Sequence, residues 1–355
     1  MLAQVIALPI APHAAAIDHA LFDDERRLND EVRRFGATLD ESAMSSGIEY
    51  AQLRRMLRAM LNVSGKRVRP LLPFWMARAF PGGGNDAAID RVAATTLLLH
   101  SAAIVIDDIE DGSTERQCQP SLHLREGHAR TLNAASLLVF KALEHLDSPW
   151  LEAVASKAVL NCHMGQALDL DAGVPEVAAA LFAGTHAERV ARYRACAELK
   201  TSQLMEMSVL LAGRVLGRSS EEMERITAAV RDFGFAYQIL DDAKNFRPDL
   251  VGNKAYEDLD AGLKSWVCLE LISAMTPAQV DAARLTYGTP VFRELVLEHP
   301  GLGAALARSI DAGVRGVRAA TAALEASCAD PRARGYVTAL LGRPVEDLAE
   351  GLLHG

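Results

Sequence analysis

Helix breakers recur along this chain at intervals that leave only helix-length segments between them, and that spacing limits the possible folds more than any other feature. They fall at Pro81-Gly82-Gly83-Gly84-Asn85, Gly112-Ser113, Gly173-Val174-Pro175, Arg247-Pro248, Thr276-Pro277, Pro300-Gly301 and Asp330-Pro331. Between them apolar residues return at the three- and four-residue spacing of a helix with one buried face. Leu53, Met56, Leu57, Met60 and Leu61, for example, alternate with Arg54, Arg55 and Arg58. Aromatic residues make up only 5% of the chain, and β-branched runs bounded by Gly turns are scarce. No fixed-period repeat, linker or low-complexity tract interrupts the pattern. The expectation is an all-α, single-domain bundle of roughly ten or more helices. It would span residues 17–350 behind a loose N-terminal tail at residues 1–16.

Composition narrows the function classes. Half of the 355 residues are apolar, enough for a sizeable core. The net charge is −9, with 46 acids against 37 Lys and Arg, and the basic residues form no long block. A nucleic-acid surface is therefore not expected. Five Cys, at 118, 162, 196, 268 and 328, with no CxxC spacing, suggest a reducing cytoplasm and no structural zinc. The first Lys or Arg is Arg26, and Pro9 and Pro12 interrupt the apolar start, which makes a poor targeting peptide. The richest apolar run, Ala93 to Ile106, falls short of the roughly 20 residues a membrane span needs. No membrane span is expected.

Two apolar segments end in acids. Leu97 to Ile106 runs into Asp107-Asp108-Ile109-Glu110-Asp111, which on a helix sets Asp107 and Asp111 one turn apart on one face. Carboxylates so placed repel one another, and a helix C-terminus disfavours them further. A solvated helix end would carry such a run, and so would a cation site; an all-oxygen cluster suits Mg²⁺. The second segment, Phe233 to Asn245, carries Gln238, Asp241, Asp242 and Asn245 within two turns. Two such ends facing each other above an apolar interior would hold a metal-bound diphosphate on a lipid chain.

These motifs come with their neighbours in order: Gly65-Lys66-Arg67-Val68-Arg69-Pro70, the DDIED run, Pro120-Ser121-Leu122-His123 with Gly127, Gly165-Gln166 with Asp169, Lys200-Thr201, FGFAYQILDD, and NKAYEDLDAG at 253–262. From about residue 60 to 270 the chain resembles the trans-isoprenyl diphosphate synthases, the polyprenyl synthetase family. The resemblance implies an isoprenoid synthase-type helix bundle with a central apolar cavity, two or three Mg²⁺ ions, an allylic prenyl diphosphate, isopentenyl diphosphate as acceptor, and a homodimer. Asp107, Asp108, Asp111, Asp241, Asp242 and Asn245 take the places of the metal ligands. Arg116, Lys200 and Lys254 resemble the grip on the allylic diphosphate. Lys66, Arg69 and His100 resemble the acceptor-diphosphate site. Gln166, Asp169, Thr201 and Gln238 resemble lining residues. His123, His128 and His163 fit no zinc spacing and are read as structural or surface residues.

The pattern also departs from the family. Gln117 stands where a second Arg normally helps hold isopentenyl diphosphate, and the loss of one charge-assisted contact would cost about 1.5–3 kcal/mol of acceptor binding. Ser202 follows Thr201 where Gly is usual. Lys264 is shifted by one position, a turn of about 100° on a helix. Three readings follow. The first is elongation of a prenyl diphosphate to the fifteen- to twenty-carbon class. The second is a terpene synthase-like enzyme or specialised prenyltransferase in which water, an internal double bond or another nucleophile captures the cation. The third is a non-catalytic partner subunit. The cavity floor is expected one, two and three turns before Asp107, at Ala102 and Ala103, Leu98 and Leu99, then Thr95 and Thr96.

Overall fold

The computed structural model describes residues 14–44, 51–61, 67–81, 85–116, 119–171, 174–252, 255–256, 259 and 265–353. Lys66, Gln117, Cys118, Lys254, Lys264 and the first 13 residues lie outside the described residues, and so do the expectations placed on them. The described residues are almost wholly helical. In order the helices are α1 (Ala14–Met44), α2 (Ala51–Leu61), α3 (Val68–Ala79), α4 (Asp86–Glu110), α5 (Leu122–Glu126), α6 (His128–Glu144), α7 (Pro149–Asp171), α8 (Pro175–Ala183) and α9 (His186–Ala197). A π-helical turn, Glu198–Ser202, joins α9 to α10 (Gln203–Val215). Then come α11 (Ser220–Asn245), α12 (Pro248–Val251), α13 (Trp266–Ile272), α14 (Pro277–Thr286), α15 (Pro290–Leu297), α16 (Leu302–Ala326) and α17 (Pro331–Leu353). A two-stranded hairpin, β1 (Glu115–Arg116) with β2 (Gln119–Pro120), pairs Glu115 with Pro120 and Arg116 with Gln119.

Several starts follow from the breakers: α8, α12, α14 and α17 open on Pro, whose missing N–H costs nothing in a first turn. Reciprocal caps add to this. Thr185 with Glu188, Ser219 with Glu222 and Thr276 with Gln279 satisfy the first N–H groups of α9, α11 and α14.

Helix α4 runs through the interior. Val92, Ala93, Ala94 and Leu98 are fully buried. By length and hydropathy this 25-residue helix could cross a membrane, but two-thirds of its most apolar stretch is covered by its neighbours. Its buried hydroxyls are bonded, Thr95 to the Ala142 carbonyl of α6 and Thr96 and Ser101 to carbonyls one turn earlier. Helices α11 and α16 pack closely because Gly313 and Gly316 lack side chains. A Cβ on Gly313 would come 2.6 Å from Leu240 Cγ, and one on Gly316 2.6 Å from Ala236 Cβ. That packing fixes the stretch of α11 from Ala236 to Leu240, just before its acids.

Candidate active site

The C-terminal turns of α4 split their acids between two directions. Asp107 and Asp111 line a cavity of about 440 Å³, with Glu110 beside them. Asp108 turns inward and is 3% exposed. Arg116 folds back from β1 to meet it, with Nε donating to Oδ1 at 3.0 Å and to Oδ2 at 3.1 Å and Nη2 completing the fork. Burial and the neighbouring Asp107 raise the pKa of Glu110, the electrostatic cost of crowding acids at a helix end.

On the opposite wall Lys200 Nζ lies 2.7 Å from Asp169 Oδ2 and 3.0 Å from Asp107 Oδ1. Burial alone would pull its pKa down, but Asp107 and Asp169 outweigh that and raise it, so the ammonium stays charged. The backbone explains its position. Lys200 and Thr201 sit on the π-helical turn, a wider winding that shifts side chains relative to an α-helix. Gly165 of α7 lets that turn come close: a Cβ there would lie 2.6 Å from Lys200 N and 2.8 Å from Leu199 C. From the other side, Gly234 of α11 faces Ser202, whose Cα would be 2.9 Å from an added Cβ. Ser202 is fully buried and donates to the Arg231 carbonyl at 3.0 Å, so its side chain occupies the room Gly234 leaves.

The second acidic end also divides. Asp241, Lys244 and Asn245 line the cavity. Asp242, one residue and about 100° further round α11, is 1% exposed and does not line it. Its Oδ2 accepts from Tyr193 Oη at 2.6 Å and from the Trp266 backbone N–H at 2.7 Å, and its Oδ1 accepts from Gln238 Nε2 at 2.9 Å. This corrects the expectation that Asp241 and Asp242 present themselves together: rotation along the helix sends the second into the core.

Arg69, His100, Thr201 and Gln238 share the cavity wall. Arg69 Nη1 lies 3.5 Å from His100 Nε2, and Nη2 donates to the Thr201 carbonyl at 3.3 Å. Burial, then Arg69 and Arg116, push the His100 pKa well below the ordinary 6.5, so the ring is neutral at neutral pH. The unfolded chain would take up a proton near pH 6.5 that the folded one refuses, so this residue's contribution to stability is present above that pH and is lost as pH falls below it. Unfolding temperature should therefore decline as pH drops from 7 towards 5, and His100→Gln should flatten the decline. An equal slope in both proteins would contradict this account of the ring.

Below the polar mouth the wall is apolar, formed by Leu99 and Ala103 of α4, Val139 of α6, Val159 and Cys162 of α7, and Leu204 of α10. Ala102, Leu98, Thr95 and Thr96 are fully buried and do not line the cavity. That corrects the expected floor at these four positions and leaves Leu99 and Ala103: the cavity follows the Leu99–Ala103 face and leans towards α6 and α7. Gln166 and His163 reach the same wall, whereas His123 is buried with its ring centroid 4.7 Å from that of His128. Lys244 was missed by sequence reasoning, although it shares a helical face with Asp241 three residues earlier. Val139 and Val159 carry no signal in the sequence, since only the packing of α6 and α7 brings them to the cavity.

The donor set suits a hard divalent cation in kind: Asp107 and Asp111 on one helix end, and Asp241 and Asn245 on the other, are all oxygen donors on one cavity. Among the described residues no three acidic, imidazole or thiol groups form a ready metal centre. The arrangement fits Mg²⁺, which uses few protein ligands and keeps water and phosphate oxygens.

A family model described as polyprenyl synthetase matches residues 50–294. The chain is 29% identical over 202 residues to a quiannulatene synthase of Emericella variicolor, covering 55% of this chain and 26% of that one. It is 31% identical over 180 residues to a geranylgeranyl pyrophosphate synthase of Epichloe festucae, covering 49% and 50%. The chain thus spans half or less of the length of these curated relatives. Among solved structures, a decaprenyl diphosphate synthase of Rhodobacter capsulatus superposes with a TM-score of 0.72 at 18% identity, over 96% of this chain and 98% of the other. A polyprenyl synthase of Caulobacter crescentus, complexed with calcium and isoprenyl diphosphate, gives 0.72 at 21% identity over 96% and 99%. These likenesses establish the helical fold.

Proposed function

We propose that this chain, which belongs to the polyprenyl synthetase family, condenses an allylic prenyl diphosphate with isopentenyl diphosphate to give a longer trans-prenyl diphosphate. The observation that carries the reading is a charged mouth, where Lys200 and the acids of two helix ends meet, set on an apolar cavity. A prenyl chain fits the apolar part and its diphosphate the mouth. Asp107, Asp108, Asp111, Asp241 and Asn245 are the positions for Mg²⁺, with Asp108 reached only when Arg116 leaves it. When bound, the metal supplies positive charge against the leaving pyrophosphate.

Lys200 holds the same developing charge from the protein side. Arg116 can add to it by turning from Asp108 to phosphate. The C–O bond of the allylic substrate breaks with its electron pair on pyrophosphate; the acceptor's double bond then forms the new C–C bond, and a proton is lost. Arg69 supplies the cationic fork for the acceptor diphosphate, and the neutral His100 supplies a hydrogen bond and no charge. Leu99, Ala103, Val139, Val159 and Leu204 keep water from the cation.

The test is turnover of geranyl, farnesyl or geranylgeranyl diphosphate with Mg²⁺, with and without isopentenyl diphosphate, read by mass spectrometry before and after phosphatase treatment. Longer prenyl diphosphates should appear only with isopentenyl diphosphate and divalent metal. Hydrocarbons or alcohols formed without it, before phosphatase, would favour the terpene synthase-like reading, which the likeness to a quiannulatene synthase supports. Ala103→Phe should shorten the product by one or more five-carbon units, because the ring would stand in the cavity; an unchanged length would show that the chain runs elsewhere.

Residues 17–350 would act as one domain, in a homodimer. Phe140 on α6 and Leu160 and Met164 on α7 are exposed apolar side chains, and a second copy would pack over these helices. Cys162, Cys196, Cys268 and Cys328 are not joined in disulfides, which suits a reducing cytoplasm.

A further inference from the structure

We infer that Asp242 is a positioning residue for the acceptor-side pair Arg69 and His100 and is not a metal ligand. The inference rests on the function proposed above. Asp242 collects hydrogen bonds from three places: Tyr193 of α9, the first backbone N–H of α13 at Trp266, and Gln238 one turn back on α11. Two donors already fill Oδ2. A cation at Oδ2 would have to displace the Trp266 N–H, a main-chain donor, beside the rings of Tyr193, Phe235 and Trp266, and Oδ1, held by Gln238, does not reach the cavity lining. An orphaned buried N–H costs as much as a lost hydrogen bond.

From Asp242 the bonds continue towards the cavity. Because Gln238 gives its amide N–H to Asp242 Oδ1, its Oε1 faces Thr201 and accepts from Oγ1 at 2.5 Å. The Thr201 carbonyl accepts from Arg69 Nη2 at 3.3 Å, and Arg69 Nη1 lies 3.5 Å from His100 Nε2. The side-chain links set one another's direction, and the last step passes through the Thr201 backbone, which the hydroxyl ties to α11. The carboxylate can only accept, so it decides which way the Gln238 amide points, and that amide decides where the Thr201 hydroxyl turns.

Asp242→Asn is a near-isosteric reversal of this order. The Trp266 N–H still needs an oxygen, so the new amide nitrogen faces Gln238, whose amide must flip. Thr201 then meets an N–H where it met an oxygen, so its hydroxyl must turn from donor to acceptor and the turn beneath Arg69 is re-set. Asp241→Asn changes a cavity-lining acid instead.

The test measures both variants and Tyr193→Phe in the full chain. Calorimetry with inorganic pyrophosphate over a series of Mg²⁺ concentrations reads metal binding without turnover. Steady-state kinetics give KM for farnesyl and isopentenyl diphosphate separately. Asp242→Asn should keep the wild-type Mg²⁺ dependence of pyrophosphate binding and raise KM for isopentenyl diphosphate about tenfold with KM for farnesyl diphosphate little changed. Tyr193→Phe, which keeps the carboxylate, should shift the same KM less, and it carries the test if the Asn variant does not fold. Loss of Mg²⁺-dependent pyrophosphate binding in Asp242→Asn, matching Asp241→Asn, would overturn the inference. So would an equal rise in both KM values. Absence of any longer product from the wild-type chain would reject the function proposed above, while the calorimetry would still decide whether Asp242 binds metal.

Discussion

Lys200→Gln should lower kcat/KM for the allylic diphosphate by about 10²–10³-fold, the usual cost of removing one preorganised charge from a developing anion. The ammonium stands between Asp169 and Asp107, and the π-helical turn fixes it there before any substrate arrives. Glutamine has a similar reach but no charge, so a diphosphate would meet Asp107 and Asp169 without the cation that offsets them. Stability should fall too, by about 1–2 kcal/mol, less than for a fully buried pair because Lys200 keeps part of its surface in water. Asp169→Asn separates the two effects. It removes one of the two ion pairs and should cost part of that stability, yet it leaves the ammonium, still beside Asp107, for substrate. Steady-state kinetics at saturating Mg²⁺ and calorimetric unfolding would distinguish them, and equal activity losses in the two variants would remove Lys200 from the reaction.

The difference between Asp241 and Asp242 shows how far such a site could be read from the sequence. That two acids end an apolar helix is local, and the sequence reading located Asp107, Asp111 and Asp241, which the structure brings to one cavity. Which acid of an adjacent pair faces that cavity depends on helix phase, and phase is fixed by what packs behind. For Asp242 that is Trp266, 24 residues on, and Tyr193, 49 residues before. Likewise Pro and Gly marked the helix starts at Pro248, Pro277 and Pro331, because backbone sterics are local. The π-helical turn had no such mark. What gives it room is the missing side chain at Gly165 and Gly234 on other helices, so Ser202 read as a departure from pattern when it fills a space. The floor went astray for the same reason: counting turns on α4 could not show that α6 and α7 supply Val139 and Val159.

Gly165→Ala should damage both the fold and the site. The added Cβ would sit 2.6 Å from Lys200 N and 2.8 Å from Leu199 C, and both are backbone atoms that no side-chain rotation can move. Either α7 shifts outward, opening the packing behind Val159 and Cys162, or the π-helical turn moves and takes Lys200 and Thr201 with it. Overpacking of this kind costs about 1–3 kcal/mol, and a displacement near 1 Å at a reacting group can cost about 10²-fold in rate. Helix propensity pulls the other way, since alanine is favoured over glycine by roughly 1 kcal/mol in a helix interior. Gly303→Ala isolates that opposing effect: Gly303 lies in α16 with nothing within 4 Å of an added Cβ. It should leave activity untouched and raise the unfolding temperature slightly, whereas Gly165→Ala should lower both. If Gly165→Ala unfolded and turned over like the wild type, the close approach of α7 would not be what holds Lys200 in place.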